Sequence, residues 1–160
     1  MPEDLALEIR RPVRFTKRPN SIAPDFRPDW KISVLLLILQ LGSRGGKSSL
    51  TRLHTINWAI RTGRHMAEFF ATREADTPLF DFRVRFEPAF SRAIDLAVAA
   101  SLVEWVGGDR IHLNANGVRI AKSLEKNSDI LRPEVEFLTK IGKGLAEDEA
   151  VRLVKGSDIA

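Results

Sequence analysis

Residues 89–126 have the sequence AFSRAIDLAVAASLVEWVGGDRIHLNANGVRIAKSLEK, and this stretch decides the predicted fold. Apolar residues at helical spacing predict an amphipathic helix that ends near Ser101. Two short strands, 102–106 and 110–113, are predicted on either side of the turn-forming Gly107-Gly108-Asp109, and together they form a β-hairpin. Asn114 or Asn116 is a suitable cap for the helix that follows. The expected order is helix, tight hairpin, helix.

Two further helices are predicted on the N-terminal side of this stretch. The first begins near Asp29, is apolar around most of its circumference and ends before Gly42. Ser48 or Ser49 can cap the second, in which apolar residues recur every three or four positions. A β-hairpin that follows such helices in the chain is typical of the wing of a winged-helix domain. We therefore predict a mainly α fold with a small β wing, namely a winged helix-turn-helix domain over residues 28–126.

The segments on either side of this domain have other patterns. Prolines exclude a helix from most of residues 1–27, which are predicted to form an extended basic arm. Residues 127–160 predict a C-terminal extension of two short amphipathic helices, packed on the domain or forming a dimer interface. Alternating apolar residues predict a further strand over 80–86. The apolar arm residues are candidate contacts with a partner: Val13, Phe15, Ile22 and Phe26.

Composition excludes several classes of protein. There is no cysteine, which excludes disulfides, thiolate metal sites and cysteine nucleophiles. The longest apolar run, 34–39, is far shorter than the roughly 20 residues of a membrane-spanning helix. The first residues, MPEDLALEIRR, do not resemble a signal peptide. We expect a cytoplasmic protein without a membrane partner.

Charge is unevenly distributed along the chain. Between Arg10 and Arg73 there are thirteen basic residues and three acidic ones. Residues 1–9 carry three acids and no base, and residues 74–160 are slightly acidic. The basic part predicts contact with an anionic partner or, with equal weight, a solvated basic arm.

Motifs for catalysis or cofactor binding are missing from the sequence. Gly42 and Gly46 enclose one residue too few for a phosphate-binding loop, and a helix rather than a strand precedes them. His54, His65 and His112 have no metal-binding spacing. No GxSxG motif occurs. We therefore expect no catalytic, cofactor or metal site, no small-molecule substrate and no enzymatic activity.

Basic residues near the early helices and on the wing are candidates for contact with DNA or with an acidic partner: Arg44, Lys47, Arg52, Arg61, Arg64 and Arg110. The helix before the hairpin would normally enter the major groove. It offers only Ser91 and Arg92 beside Asp95, whereas base readout requires Arg, Asn or Gln in bidentate contacts. Non-specific phosphate contact or protein binding fits these residues better.

Four segments carry a resemblance to a known family. They are RPDWKISVLLLILQL (27–41), LTRLHTINWAIR (50–61), FSRAIDLAVAASLVEW (90–105) and IHLNANGVRIAKSL (111–124). The chain resembles the small middle components of bacterial ABC-three-component systems, relatives of the Lamassu anti-phage systems. The resemblance implies a non-catalytic accessory subunit that binds an ABC or SMC-like ATPase and an effector from the same operon. The alternative is a dimeric winged-helix transcriptional regulator.

Overall fold

The computed structural model describes residues 27–75, 86–127 and 129–155. The predicted arm residues Val13, Phe15, Ile22 and Phe26 lie outside these ranges, as does the strand predicted for 80–86 apart from its last residue. In chain order the elements are α1 (Pro28–Leu41), a 3-10 turn (Arg44–Gly46), β1 (Lys47–Ser49), α2 (Leu50–Ile60), α3 (Gly63–Ala75), α4 (Pro88–Ala99), β2 (Val103–Trp105), β3 (Arg110–Leu113), α5 (Ala115–Lys126), α6 (Arg132–Ile141) and α7 (Glu147–Lys155).

The strands form one antiparallel sheet in the order β1-β3-β2. β2 and β3 are the predicted hairpin, and Trp105 is paired with Ile111. Gly107 and Gly108 have φ angles of +59° and +66°, the left-handed conformation that a two-glycine turn adopts without strain. The sequence predicted no strand at β1, which pairs with β3 and places Ser48 opposite Ile111.

Helix α1 lies at the centre of the core. The six residues from Val34 to Leu39 are all buried, as expected for a helix that is apolar on every side. α1 packs against α4, α5 and α6. Burying each of its large aliphatic side chains contributes roughly 1.5–3 kcal/mol, so α1 contributes strongly to hydrophobic stabilisation.

Polar caps fix the starts of two helices, as the sequence predicted. The Ser49 hydroxyl accepts a hydrogen bond from the Arg52 N–H at 3.2 Å. The Asn114 side chain accepts one from the Gly117 N–H at 3.0 Å. Gly117 lies so close to β2 that an added Cβ would overlap the Leu102 carbonyl oxygen. The first turn of α5 is therefore locked against the hairpin.

The two C-terminal helices belong to the same core. Phe137, Leu138 and Ile141 of α6 are buried, and Leu145 is buried just before α7. α6 packs on α1 and α7 packs on α2. The apolar stripe along this part of the chain is therefore covered by the chain itself.

The described residues thus form a mainly helical fold with a small three-stranded antiparallel sheet, compatible with a winged-helix-like architecture. None of their helices is both long and apolar enough to cross a membrane.

Candidate functional site

A basic cleft lies where the small sheet meets the segment leading into α7. Its volume is about 280 Å³. Four of the six basic residues proposed from the sequence line it, together with a cation that sequence reasoning missed: Arg44, Lys47, Arg52, Arg110 and Lys143. The remaining lining is Gly144, Leu145, Ala146 and Glu147. The fold therefore gathers charges that are far apart in the sequence.

Strand pairing explains why two of these cations are neighbours. In the antiparallel register Lys47 is opposite His112 and Ser49 is opposite Arg110. Residues paired in this way point to the same face of a sheet, so Lys47 and Arg110 share one face. Ile111 points to the other face and is buried in the core.

A glycine turn carries the third exposed cation. Gly45 and Gly46 have φ angles of +61° and +66°, which allow a tight turn between α1 and β1. A Cβ added at Gly46 would lie 3.4 Å from the Leu113 side chain, so the turn packs directly on β3. Arg44 is the first residue of this turn and is exposed at the rim of the cleft.

Arg52 has a different role from the one proposed from the sequence. Its side chain is only 3% exposed. The guanidinium donates hydrogen bonds to the Leu145 carbonyl at 2.8 Å, to the Ser43 hydroxyl at 2.8 Å and to the Gly42 carbonyl. The proposal of Arg52 as a surface contact is therefore corrected, because its donors bind the chain itself.

Burial lowers the pKa of Arg52 from its ordinary value, and the nearby Glu147 carboxylate partly offsets this effect. Glu147 accepts hydrogen bonds from the Ser49 amide at 3.2 Å and from the Ser49 hydroxyl. This carboxylate therefore already has donors inside the cleft. The four exposed cations, Arg44, Lys47, Arg110 and Lys143, remain on its surface and can hold an anionic group such as a phosphate.

The other two proposed basic residues lie outside the cleft lining. Arg61 follows the last residue of α2 and is exposed. Arg64 is 83% exposed and pairs with Glu68 one turn further along α3, at 2.7 Å. Contact of either residue with DNA or an acidic partner stays a prediction.

Helix α4 presents a surface poorly suited to base recognition. Its exposed positions include Ser91, Arg92, Asp95 and Leu96, and the Leu96 side chain is 43% exposed. Of these, only Arg92 has the chemistry of a bidentate base contact, and Asp95 would repel DNA phosphates.

A buried polar cluster, which sequence reasoning missed, joins α1, α2 and the start of α4. The Lys31 ammonium is 2.7 Å from the Glu87 carboxylate, which also accepts a hydrogen bond from Asn57 at 2.9 Å. Lys31 is 1% exposed. A lysine in a largely apolar helix is the sequence signal for such a pair, because a buried charge requires a partner.

His54 belongs to this cluster. Burial lowers its pKa to about 4, since the effect outweighs the opposing charge of Glu87, and Lys31 lowers it further. Nδ1 accepts a hydrogen bond from the Glu87 amide at 3.3 Å, which requires a neutral ring with its proton on Nε2. The contacts of this ring join α2 to α4.

Within the described parts of the chain, no three His, Asp or Glu side chains are grouped in a way that could hold a metal ion. No protein-family model matches the sequence, and comparisons with curated proteins and with solved structures give no significant match.

Proposed function

We propose that the chain is a non-catalytic adapter subunit with a winged helix-turn-helix domain. In this proposal it acts in the cytoplasm, within an ABC or SMC-like ATPase complex of anti-phage defence. The observation that carries the proposal is the basic cleft, which is lined by four exposed cations and includes no residue of α4. Adapters of this kind hold partners together and need no reacting groups.

The order of elements supports the winged-helix assignment. β1 separates α1 from α2 and pairs with the hairpin, which directly follows α4. In such a domain α4 occupies the position of the recognition helix, with α3 inserted between it and α2. The exposed chemistry of α4 argues against sequence-specific DNA binding and favours a protein contact.

DNA contact in this proposal is made by the cleft and is independent of sequence. Arg44, Lys47, Arg110 and Lys143 bind phosphate oxygens, and Arg52 holds the walls of the cleft in place from inside. Each phosphate contact releases condensed counterions, so affinity falls with salt by about 0.9 logarithmic units per contact.

The ATPase and effector partners follow from the family resemblance of the sequence segments. The arm residues Val13, Phe15, Ile22 and Phe26 remain the proposed contacts with these subunits. Co-expression with the neighbouring genes, followed by affinity purification, tests this part. Stoichiometric recovery of an ATPase is the expected result; recovery of a dimer without an ATPase would favour the transcriptional regulator.

Fluorescence anisotropy with two duplexes of equal length and unrelated sequence tests the cleft. We expect similar affinity for both, and a loss of about three units in the salt slope for Arg44→Ala/Lys47→Ala/Arg110→Ala. Arg119→Ala/Lys122→Ala/Lys126→Ala is the matched control, since all three residues are exposed cations outside the cleft. A slope unchanged in the triple variant would remove the cleft from the DNA interface.

A further inference from the structure

A second groove lies between the start of α1 and the first half of α4. Its volume is about 460 Å³. Most of its lining is apolar: Pro28, Pro88, Ala89, Ala93 and Leu96. Arg27 and Arg92 line it as well, and both are exposed. The buried Lys31 also lines the groove, and its ammonium is paired with the Glu87 carboxylate.

The groove therefore combines an apolar surface with two exposed arginines, Arg27 and Arg92. Leu96 and Arg92 are four residues apart on α4 and so lie on the same side of the helix. Such a surface fits a short peptide that carries aliphatic side chains and carboxylates together. A basic segment would be repelled by the arginines of the groove, and a purely polar segment would leave its apolar lining uncovered.

We propose that residues 1–9 of the same chain, MPEDLALEI, bind in this groove. This segment has three carboxylates, at Glu3, Asp4 and Glu8, and no basic residue. It also supplies the aliphatic side chains of Leu5, Leu7 and Ile9. Residues 10–26 carry five basic residues and only one acidic residue, so Arg27 and Arg92 repel them.

Chain connectivity favours binding within one molecule. Residues 10–26 join the acidic segment to Arg27, which itself lines the groove. A linker of this length spans up to roughly 56 Å when extended, more than enough to return to α4. Linkage of this kind gives an effective concentration in the millimolar range, so a contact that is weak between separate molecules is well populated within one.

Occupation of the groove covers Arg92 and Leu96, which are among the exposed side chains of α4. The acidic segment then competes with any partner that uses this part of the helix. This inference is independent of the DNA-binding cleft, because the two sites have no lining residue in common.

Disulfide trapping in the full chain tests the proposal, since the protein has no native cysteine. Ala6→Cys is combined with Ala89→Cys, which lies in the groove, or with Ala115→Cys, an exposed control position on α5. We expect the groove pair to form an intramolecular disulfide at least ten times faster than the control pair under mild oxidation. Glu3→Lys/Asp4→Lys/Glu8→Lys, and separately Arg92→Glu, should slow the groove pair to the control rate.

Equal rates for the two cysteine pairs, or a groove rate unchanged by charge reversal, would overturn the proposal. A groove disulfide that forms only between molecules would also overturn it, because the occupant would then be a second copy. Circular dichroism of each variant verifies folding, and Arg92 is an exposed residue. DNA binding measured on the same variants distinguishes a failure here from a failure of the cleft.

Discussion

Replacing Arg52 with Met removes a buried guanidinium while keeping most of the side-chain volume. Arg52 joins three parts of the fold, because its donors reach the turn after α1, the hydroxyl of Ser48 in β1 and the carbonyl of Leu145 before α7. In the variant, the carbonyl oxygens of Gly42 and Leu145 lose their charged donor in a place that water reaches poorly. Each such acceptor costs about 1–3 kcal/mol when left unsatisfied.

Two unsatisfied carbonyls together cost about 2–6 kcal/mol. The variant no longer has the desolvation cost of a buried guanidinium, which offsets part of this, so we expect the free energy of unfolding to fall by about 3 kcal/mol. At a urea m-value of about 2 kcal/mol per molar, the unfolding midpoint falls by about 1.5 M. Tryptophan fluorescence during urea titration measures it. Arg44→Met, which changes an exposed cation of the same cleft, should alter stability by no more than about 0.5 kcal/mol.

A loss below about 1 kcal/mol, or an equal loss in Arg44→Met, would refute the structural role of Arg52. Arg52→Lys keeps the charge but lacks the planar fork of donors, so it should lose about 2 kcal/mol and provides a second measurement if the Met variant does not fold. The DNA salt slope should be unchanged in Arg52→Lys. A slope reduced by about one unit would instead return Arg52 to the phosphate contacts.

Two further changes test the packing and the buried cluster. Gly117→Ala places a methyl group on the Leu102 carbonyl and 2.8 Å from Leu113 Cδ2, so it should lower the free energy of unfolding by about 2–4 kcal/mol in a urea titration. Gly63→Ala places its methyl group in open space and should leave stability nearly unchanged. Equal effects of the two substitutions would contradict this packing. His54 has a folded pKa of about 4, below its ordinary 6.5, so unfolding takes up a proton at acidic pH. Neutral His54 therefore contributes about 3 kcal/mol to the free energy of unfolding. This contribution is complete above pH 6.5 and is lost as the pH falls towards 4. His54→Gln should flatten the stability profile in this window, and parallel profiles would count against the assignment.

The helices and the hairpin were predictable because their signals are local. Helix α1 has a continuous apolar sequence, and Gly107 and Gly108 specify the turn between β2 and β3. β1 could not be predicted, since three residues are too short to show a period of two and its partner strand is distant in sequence. The pairing of β1 with β3 is decided by tertiary structure.

The burial of Arg52 was equally invisible to local pattern. An arginine in an amphipathic helix normally faces solvent, but in α2 every residue from Arg52 to Ile60 is buried because α3, α7 and β1 surround the helix. Lys143 was missed for the opposite reason. It lies in a Gly-Lys-Gly break between helices, where the sequence shows a turn but not what the turn faces.

The count of basic residues in the first half of the chain therefore overstates its positive surface. Lys31 and Arg52 are buried, where they bind a carboxylate or backbone carbonyls, and Arg73 pairs with Glu149 at 2.7 Å. These charges stabilise the fold and contribute little to attraction at a distance, because each is compensated or desolvated. The basic cleft differs because its exposed cations converge on one space. In the proposed function, anion binding depends on the pairing of β1 with β3, and a variant that breaks this pairing should lose DNA affinity while keeping the same net charge.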